Sequence, residues 1–156
     1  MIKALVSDVS RVLLFPIDDD YKGSLNRLYK EIKDKPSGSF FSHFRVNEEL
    51  LDYYKKLTNK LDFYIFTSDI IQDAPELQTY WKDIFKEIYS ASKMNVNKSE
   101  ESAYKKLIQK LNQEPNQILY IDDNNINIAS AKQTGLHTIL YKSNKKLFQQ
   151  IEHVTE

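Results

Sequence analysis

Short apolar runs alternate along this chain with stretches in which apolar residues return every three or four positions, the pattern of strands followed by amphipathic helices. Residues 2–7 read as a buried strand, and Leu25, Leu28, Tyr29 and Ile32 predict a helix over 24–33 with Ser24 as its N-cap. A loop at 35–39 and an aromatic patch, Phe40, Phe41 and Phe44, follow. Asn47 caps a second helix, with Glu48 and Glu49 in the first turn, where the dipole favours acids, and Leu50, Leu51, Tyr54 and Leu57 as its apolar stripe. Residues 62–66 form a β-prone run that ends at Thr67-Ser68-Asp69. Pro75 opens a third helix that is expected to continue through Trp81 and Phe85, and 87–89 is a short strand. Ser99 begins a helix whose stripe is Tyr104, Leu107, Ile108 and Leu111. Residues 118–121 read as a strand, 125–134 as a helix stopped by Gly135, 137–141 as the last strand, and Leu147, Phe148 and Ile151 mark a terminal helix. From residue 47 onwards strand and helix alternate, which argues for a parallel sheet covered on both faces.

Composition narrows the chemistry. The 156 residues are one domain's length, and 41% hydrophobic with 28% charged residues is ordinary for a folded globular chain. Lys plus Arg number 22 and so do Asp plus Glu, so no basic footprint for nucleic acid or an anionic membrane is expected. With no cysteine, disulfides, thiolate zinc sites and cysteine nucleophiles are excluded. The first carboxylate comes too early for a secretory leader and no apolar run is long enough to span a bilayer, so a cytoplasmic protein is expected. There are only three glycines, Gly23, Gly38 and Gly135, so neither a Walker-type loop nor a dinucleotide fingerprint can be written on the chain. Any phosphate must be held by side chains, a metal and helix N-termini.

Four segments carry candidate chemistry. The first strand ends on Asp8, with Ser10 two residues on, and the strand at 118–121 runs into Asp122-Asp123. Two acid-tipped parallel strands bring carboxylates together, able to hold a hard cation and attack an electrophile. Between them stand Thr67-Ser68 at a strand end and Lys98 at a helix start. Taken singly, Asp8, Thr67 and Ser68 also suit turns, Asp123 a helix cap, and Lys98 a solvated position. It is their order, with a strand before three of the four segments, that is specific. The run Asp18-Asp19-Asp20 reads as a solvated loop, with a substitute acid as the minority reading, and His43, His137 and His153 have no ligand spacing among them.

At these residues the chain resembles the haloacid dehalogenase (HAD) superfamily, made up mostly of magnesium-dependent phosphatases. That family's first motif, D-x-D-x-(T/V), reads here Asp8-Val9-Ser10-Arg11-Val12, its second ends on Thr67, its lysine is Lys98 without the usual following proline, and its acidic pair is Asp122-Asp123. Residues 122–135 follow the subfamily pattern D-D-x-x-x-N-(apolar)-x-x-A-x-x-x-G, as in a small-cap subfamily I-like member, and only about 16–45 lies outside the likeness.

The resemblance implies a three-layer α/β sandwich with a five-stranded parallel Rossmann-like sheet, one domain over 1–156, and a small cap insertion at about 16–45. The cap would leave the site open unless a second subunit closes it as a homodimer. It also implies phosphate monoester hydrolysis on a small phosphorylated metabolite. Asp8 would be the nucleophile, with Ser10 and Lys98 as the other catalytic positions. Thr67, Ser68, Lys98 and Arg11 would meet the substrate, and Mg²⁺ would lie among Asp8, the Ser10 carbonyl, Asp123 and Asp122.

The departure is Ser10. The family's second Asp protonates the leaving alcohol and then helps water attack, which a serine hydroxyl does not do near neutral pH, so slow turnover is expected. Arg11, where glycine is common, either grips substrate or points to solvent. The runner-up is an impaired domain that binds a phosphorylated ligand or a protein partner. A dehalogenase ranks third, because that branch carries an aromatic residue where Ser10 stands.

Overall fold

The computed structural model describes residues 1–35 and 39–156; most of the loop expected at 35–39 therefore lies outside the described residues. Five parallel strands form the central sheet: β1 (Ala4–Ser7), β4 (Asp62–Thr67), β5 (Phe85–Ser90), β6 (Ile118–Asp122) and β7 (His137–Leu140), in the order β5-β4-β1-β6-β7. The chain winds outward from β1 to one side and returns to the other, so the strand order reverses between β1 and β6. In open α/β sheets, ligands bind at the carboxyl ends of the strands flanking such a reversal.

Alternation along the strands sorts side chains between two cores. Leu5, Phe63, Ile65, Leu119 and Ile121 point to the face covered by α3 (Glu48–Leu57) and α7 (Asn144–Thr155). Ala4, Val6, Phe66, Ile118 and Tyr120 point to the face covered by α5 (Glu101–Leu111) and α6 (Asn125–Gln133). All residues of β1 and β6 are buried, as a central parallel sheet requires. The three-layer sandwich and the parallel sheet therefore stand as the sequence implied.

The insertion is small. It is framed by an antiparallel pair, β2 (Leu14–Pro16) with β3 (Phe44–Val46), and holds α1 (Leu25–Ile32) and the single-turn α2 (Phe40–His43). Ser24 caps α1 by accepting from the Arg27 N–H. Phe40 and Phe44 are buried, with ring centroids 4.8 Å apart, so most of the aromatic patch is packing; Phe41 is exposed. Asn47 caps α3, and its side-chain amide also donates to the Val12 carbonyl and to Asn144, tying the end of the insertion to the core.

Three sequence expectations shift. The helix from Pro75 is a 3₁₀ turn (Pro75–Leu77) and one α turn, α4 (Gln78–Trp81), and Phe85 opens β5 instead of closing a helix. Gln78 and Trp81 both donate to the Gln72 carbonyl, so the segment folds back on itself before entering the sheet. The strand expected at 87–89 runs from Phe85 to Ser90. The helix expected from Ser99 begins at Glu101, because the Ser99 N–H and hydroxyl both bond the Asn97 side chain and hold 97–99 in a turn.

Gly135 ends α6 with φ of 88°, and a Cβ there would lie 3.3 Å from Pro115. Gly135→Ala should lower the unfolding free energy by about 1 kcal/mol or more in urea denaturation. An unchanged midpoint would mean the turn relaxes to an ordinary φ.

Candidate active site

The strand register assembles the site. Ser7 pairs with Ile65 of β4 on one side and Ile121 of β6 on the other, so the residues that follow project from one edge of the sheet. The Asp8 N–H donates to the Ile121 carbonyl at 2.9 Å, which sets Asp8 beside Asp122 and Asp123. Oxygens of these three carboxylates lie within 4.8 Å of one another.

Lys98 enters from the turn before α5. Its ammonium reaches Asp8 Oδ1 at 2.9 Å, Asp122 Oδ2 at 2.9 Å and the Phe66 carbonyl at 3.0 Å, one acceptor for each of its three protons. The rings of Phe66 and Tyr120 flank it, with centroids 5.4 and 5.7 Å away. Lys98 is 4% exposed, Asp8 6% and Asp122 fully buried, so these charges act in a dry setting where each is felt strongly.

Three carboxylates face one cation. Burial pushes the Asp8 carboxyl up to about 8, against the pull of Lys98 and with further repulsion from Asp122 and Asp123. Burial, then the Asp122 charge, raises Asp123 to about 6. Burial would also push Asp122 up, but Lys98, with hydrogen bonds from Tyr120 and the Asn124 N–H, holds it below the usual carboxylate value. Lys98 is raised: burial opposes its charge, and Asp8 and Asp122 outweigh that. The cluster is short of positive charge and offers only oxygen donors, which suits a hard divalent cation such as Mg²⁺.

The other expected residues fall into distinct places. Thr67 ends β4, 1% exposed, and its hydroxyl has no partner; the Ser10 hydroxyl is likewise buried and unpartnered. A buried hydroxyl without a partner is costly, and a bound oxyanion would satisfy it. Ser68 is exposed, and its carbonyl accepts from the Ser92 N–H. Arg11 adopts φ of 61°, and its Nη2 donates to the carbonyls of Tyr21 at 3.1 Å and Gly23 at 2.8 Å. Asp18, Asp19 and Asp20 are exposed, and Asp18 accepts from the Asp20 N–H in a local turn. Among the described residues the acidic cluster contains no histidine.

Sequence reasoning missed the supports behind the charged groups. Tyr120 donates to Asp122 Oδ2, which also accepts from Asn127 at 3.1 Å, while Asp122 Oδ1 accepts from the Asn124 N–H at 2.9 Å. Tyr104 donates to the Lys98 carbonyl at 2.7 Å. Lys98 is thus held at both its backbone and its ammonium, and Asp122 is the carboxylate most fully engaged by the protein.

A parallel sheet with its strand reversal at Asp8, and a carboxylate cluster bridged by a buried lysine at that edge, define a class of hydrolase-like α/β proteins. Residues 14–141 match the family model described as Haloacid dehalogenase-like hydrolase, so the chain belongs to that family. The matched span holds Thr67, Lys98 and Asp122-Asp123 and begins after Asp8 and Ser10.

Solved structures with the same fold include a predicted HAD-like hydrolase from Porphyromonas gingivalis (16% identity, TM-score 0.70, covering 100% of this chain and 98% of that one). A HAD family enzyme from Bacteroides thetaiotaomicron, solved as an Asp-to-Ala mutant with magnesium and inorganic phosphate, is similar (18% identity, TM-score 0.70, 95% and 99% covered). So is a hydrolase from Streptococcus pneumoniae (17% identity, TM-score 0.69, 97% and 98% covered). A search of curated proteins finds no match. No helix among the described residues is long and apolar enough to cross a membrane.

Proposed function

We propose that the chain is a HAD-like phosphatase, one domain over 1–156, that hydrolyses a phosphate monoester of a small metabolite through an aspartyl-phosphate on Asp8. The observation that carries this reading is the Lys98 ammonium bridging Asp8 and Asp122, with the unpartnered Thr67 hydroxyl at the end of the adjacent strand. Magnesium and phosphate in the Bacteroides thetaiotaomicron relative support it.

In the reaction, a carboxylate oxygen of Asp8 bonds to phosphorus as the bond to the leaving alcohol breaks. Lys98 engages Oδ1, leaving Oδ2 as the attacking atom, and offsets charge as the phosphoryl group transfers. Thr67, with Ser68 beside it, would donate to the phosphoryl oxygens. Asp8, the Ser10 carbonyl and Asp123, with Asp122 behind them, would hold Mg²⁺, which supplies the positive charge that lets an anionic nucleophile meet an anionic substrate. The departing alkoxide needs a proton and the acyl phosphate then needs an activated water. The Ser10 hydroxyl provides neither, so turnover is slow and favours good leaving groups.

The second reading is an impaired domain that binds a phosphorylated ligand or a protein partner, and it too rests on Ser10. Hydrolysis of an aryl phosphate with Mg²⁺, compared between the parent and Asp8→Asn, separates the two. Activity that depends on Asp8 supports the enzyme, and none above the variant supports the binding domain.

The metal site should be visible without turnover. Mg²⁺ is expected to raise the melting temperature of the parent by several degrees, since binding to the native state alone stabilises it. Asp123→Asn should abolish that gain, and a parent melting curve indifferent to saturating magnesium would remove the metal from the account.

A further inference from the structure

We infer that Arg11 is a positioning residue that pins the small insertion to the turn carrying the nucleophile, leaving contact with phosphate to other groups. Three observations converge on it. Arg11 directly follows Ser10, in a left-handed conformation at φ of 61° that glycine adopts freely and arginine only at a cost. The cost is accepted at a position whose side chain then leaves the turn and donates to two successive parts of the insertion, the Tyr21 and Gly23 carbonyls. The receiving segment is itself stiff, because the Tyr21 hydroxyl bonds the carbonyl of Ser24, the N-cap of α1.

The far side of α1 is tied as well. Asn26, 8% exposed, accepts from both the Ile70 and Ile71 N–H groups, and Lys30 pairs with Asp69. The insertion is therefore fastened at once to the segment after β1, where Asp8 lies, and to the segment that follows Thr67 at the end of β4. An insertion held at both points acts as a fixed roof; a hinged lid would need one side free. The guanidinium spends Nη2 on these two carbonyls, and among the described residues no ion pair joins it to the carboxylate cluster, so removing it should loosen the roof and leave the phosphate site in place.

The test is hydrogen exchange on the full chain, with orthophosphate binding in the presence of Mg²⁺ as a second readout. Arg11→Gly suits the observed φ and should fold. It is expected to speed exchange of the Tyr21 and Leu28 amides about tenfold, the scale of one net hydrogen bond, because one of the two bonds is exposed and the other part-buried and glycine relieves the backbone cost, with amides of β1 and β6 unchanged and orthophosphate affinity within about threefold of the parent. Asn26→Asp, which keeps the acceptor, should exchange like the parent across α1, whereas Asn26→Leu should not.

Unchanged exchange in Arg11→Gly would overturn the proposal. So would a large loss of orthophosphate affinity without faster exchange, which would make the guanidinium a phosphate ligand. The phosphate readout rests on the phosphatase reading and the exchange readout does not. If the parent binds no orthophosphate, that reading fails and the exchange result alone decides the role of Arg11.

Discussion

Ser10→Asp should raise steady-state hydrolysis of phosphate esters about tenfold or more, the largest gain any single substitution in this chain is expected to give. General acid–base assistance is worth about 10²–10⁴-fold, and position 10 is where the family places that group. A gain that starts below that range is expected here, because the larger carboxylate must fit where the Ser10 hydroxyl is now buried. Arg11 is a weaker obstacle than its neighbouring position suggests, since its guanidinium is engaged by the Tyr21 and Gly23 carbonyls. On the phosphatase reading the parent should show an initial burst and label that depends on Asp8, because formation of the acyl phosphate would outrun its hydrolysis. The measurement is the Mg²⁺-dependent rate on a panel of esters, with Ser10→Asp/Asp8→Asn as the blank. A variant no faster than its parent across the panel, together with ligand binding indifferent to Asp8→Asn, would leave the impaired-domain reading standing.

The charged part of the site is legible in the sequence because each residue sits at a boundary that local pattern marks. Asp8, Thr67 and Asp122 close apolar runs, and Lys98 precedes an amphipathic stripe. Neighbouring parallel strands bring such boundary residues to one edge, and the register of Ser7 with Ile65 and Ile121 is what delivers them. Tyr120 and Tyr104 are illegible for the complementary reason. In sequence, Tyr120 is a β-prone strand residue and Tyr104 part of a helix stripe; only the packing of α5 against β6 turns their hydroxyls toward Asp122 and Lys98. Arg11 is half legible. The family's preference for glycine there marks the position, but nothing local says that arginine takes the left-handed conformation or where its side chain goes.

The fold divides the same way. Elements stabilised by their own periodicity follow the spacing: α3 and α5 start within two residues of where it puts them, and α7 carries the stripe expected of the terminal helix. The β2–β3 pair has no local signature: each strand has three residues, and they pair across an insertion long enough that no turn signal links them. Phe85 looks helical because it stands one helical turn after Trp81 in sequence. The fold instead uses both rings against one core, Trp81 from α4 and Phe85 from the edge strand, with centroids 5.7 Å apart.

The largest loss of stability should follow removal of Lys98. Among the described residues its ammonium is the cation placed against Asp8 and Asp122, and all three groups are buried. Lys98→Met fills similar volume but leaves the buried Asp122 charge uncompensated and Asp8 without its hydrogen-bond donor, and breaking a buried pair in this way costs about 3–5 kcal/mol. The deficit should depend on pH with a defined sign. In the parent, Asp122 is held below its ordinary value, so its pairing stabilises the fold above the unfolded carboxylate pKa and is lost as pH falls through the folded one. Without Lys98, burial dominates and Asp122 is raised, so the variant is penalised increasingly as pH climbs from the unfolded value through the raised folded one. Parent and variant should therefore differ least below the ordinary aspartate value of about 3.9 and most above neutrality. Adding Asp122→Asn to Lys98→Met should recover part of the loss by removing the stranded charge. Urea denaturation of the three proteins at acid and neutral pH, without magnesium, measures each contribution. A Lys98→Met protein as stable as its parent at neutral pH would mean that the lysine is not what makes this carboxylate cluster tolerable.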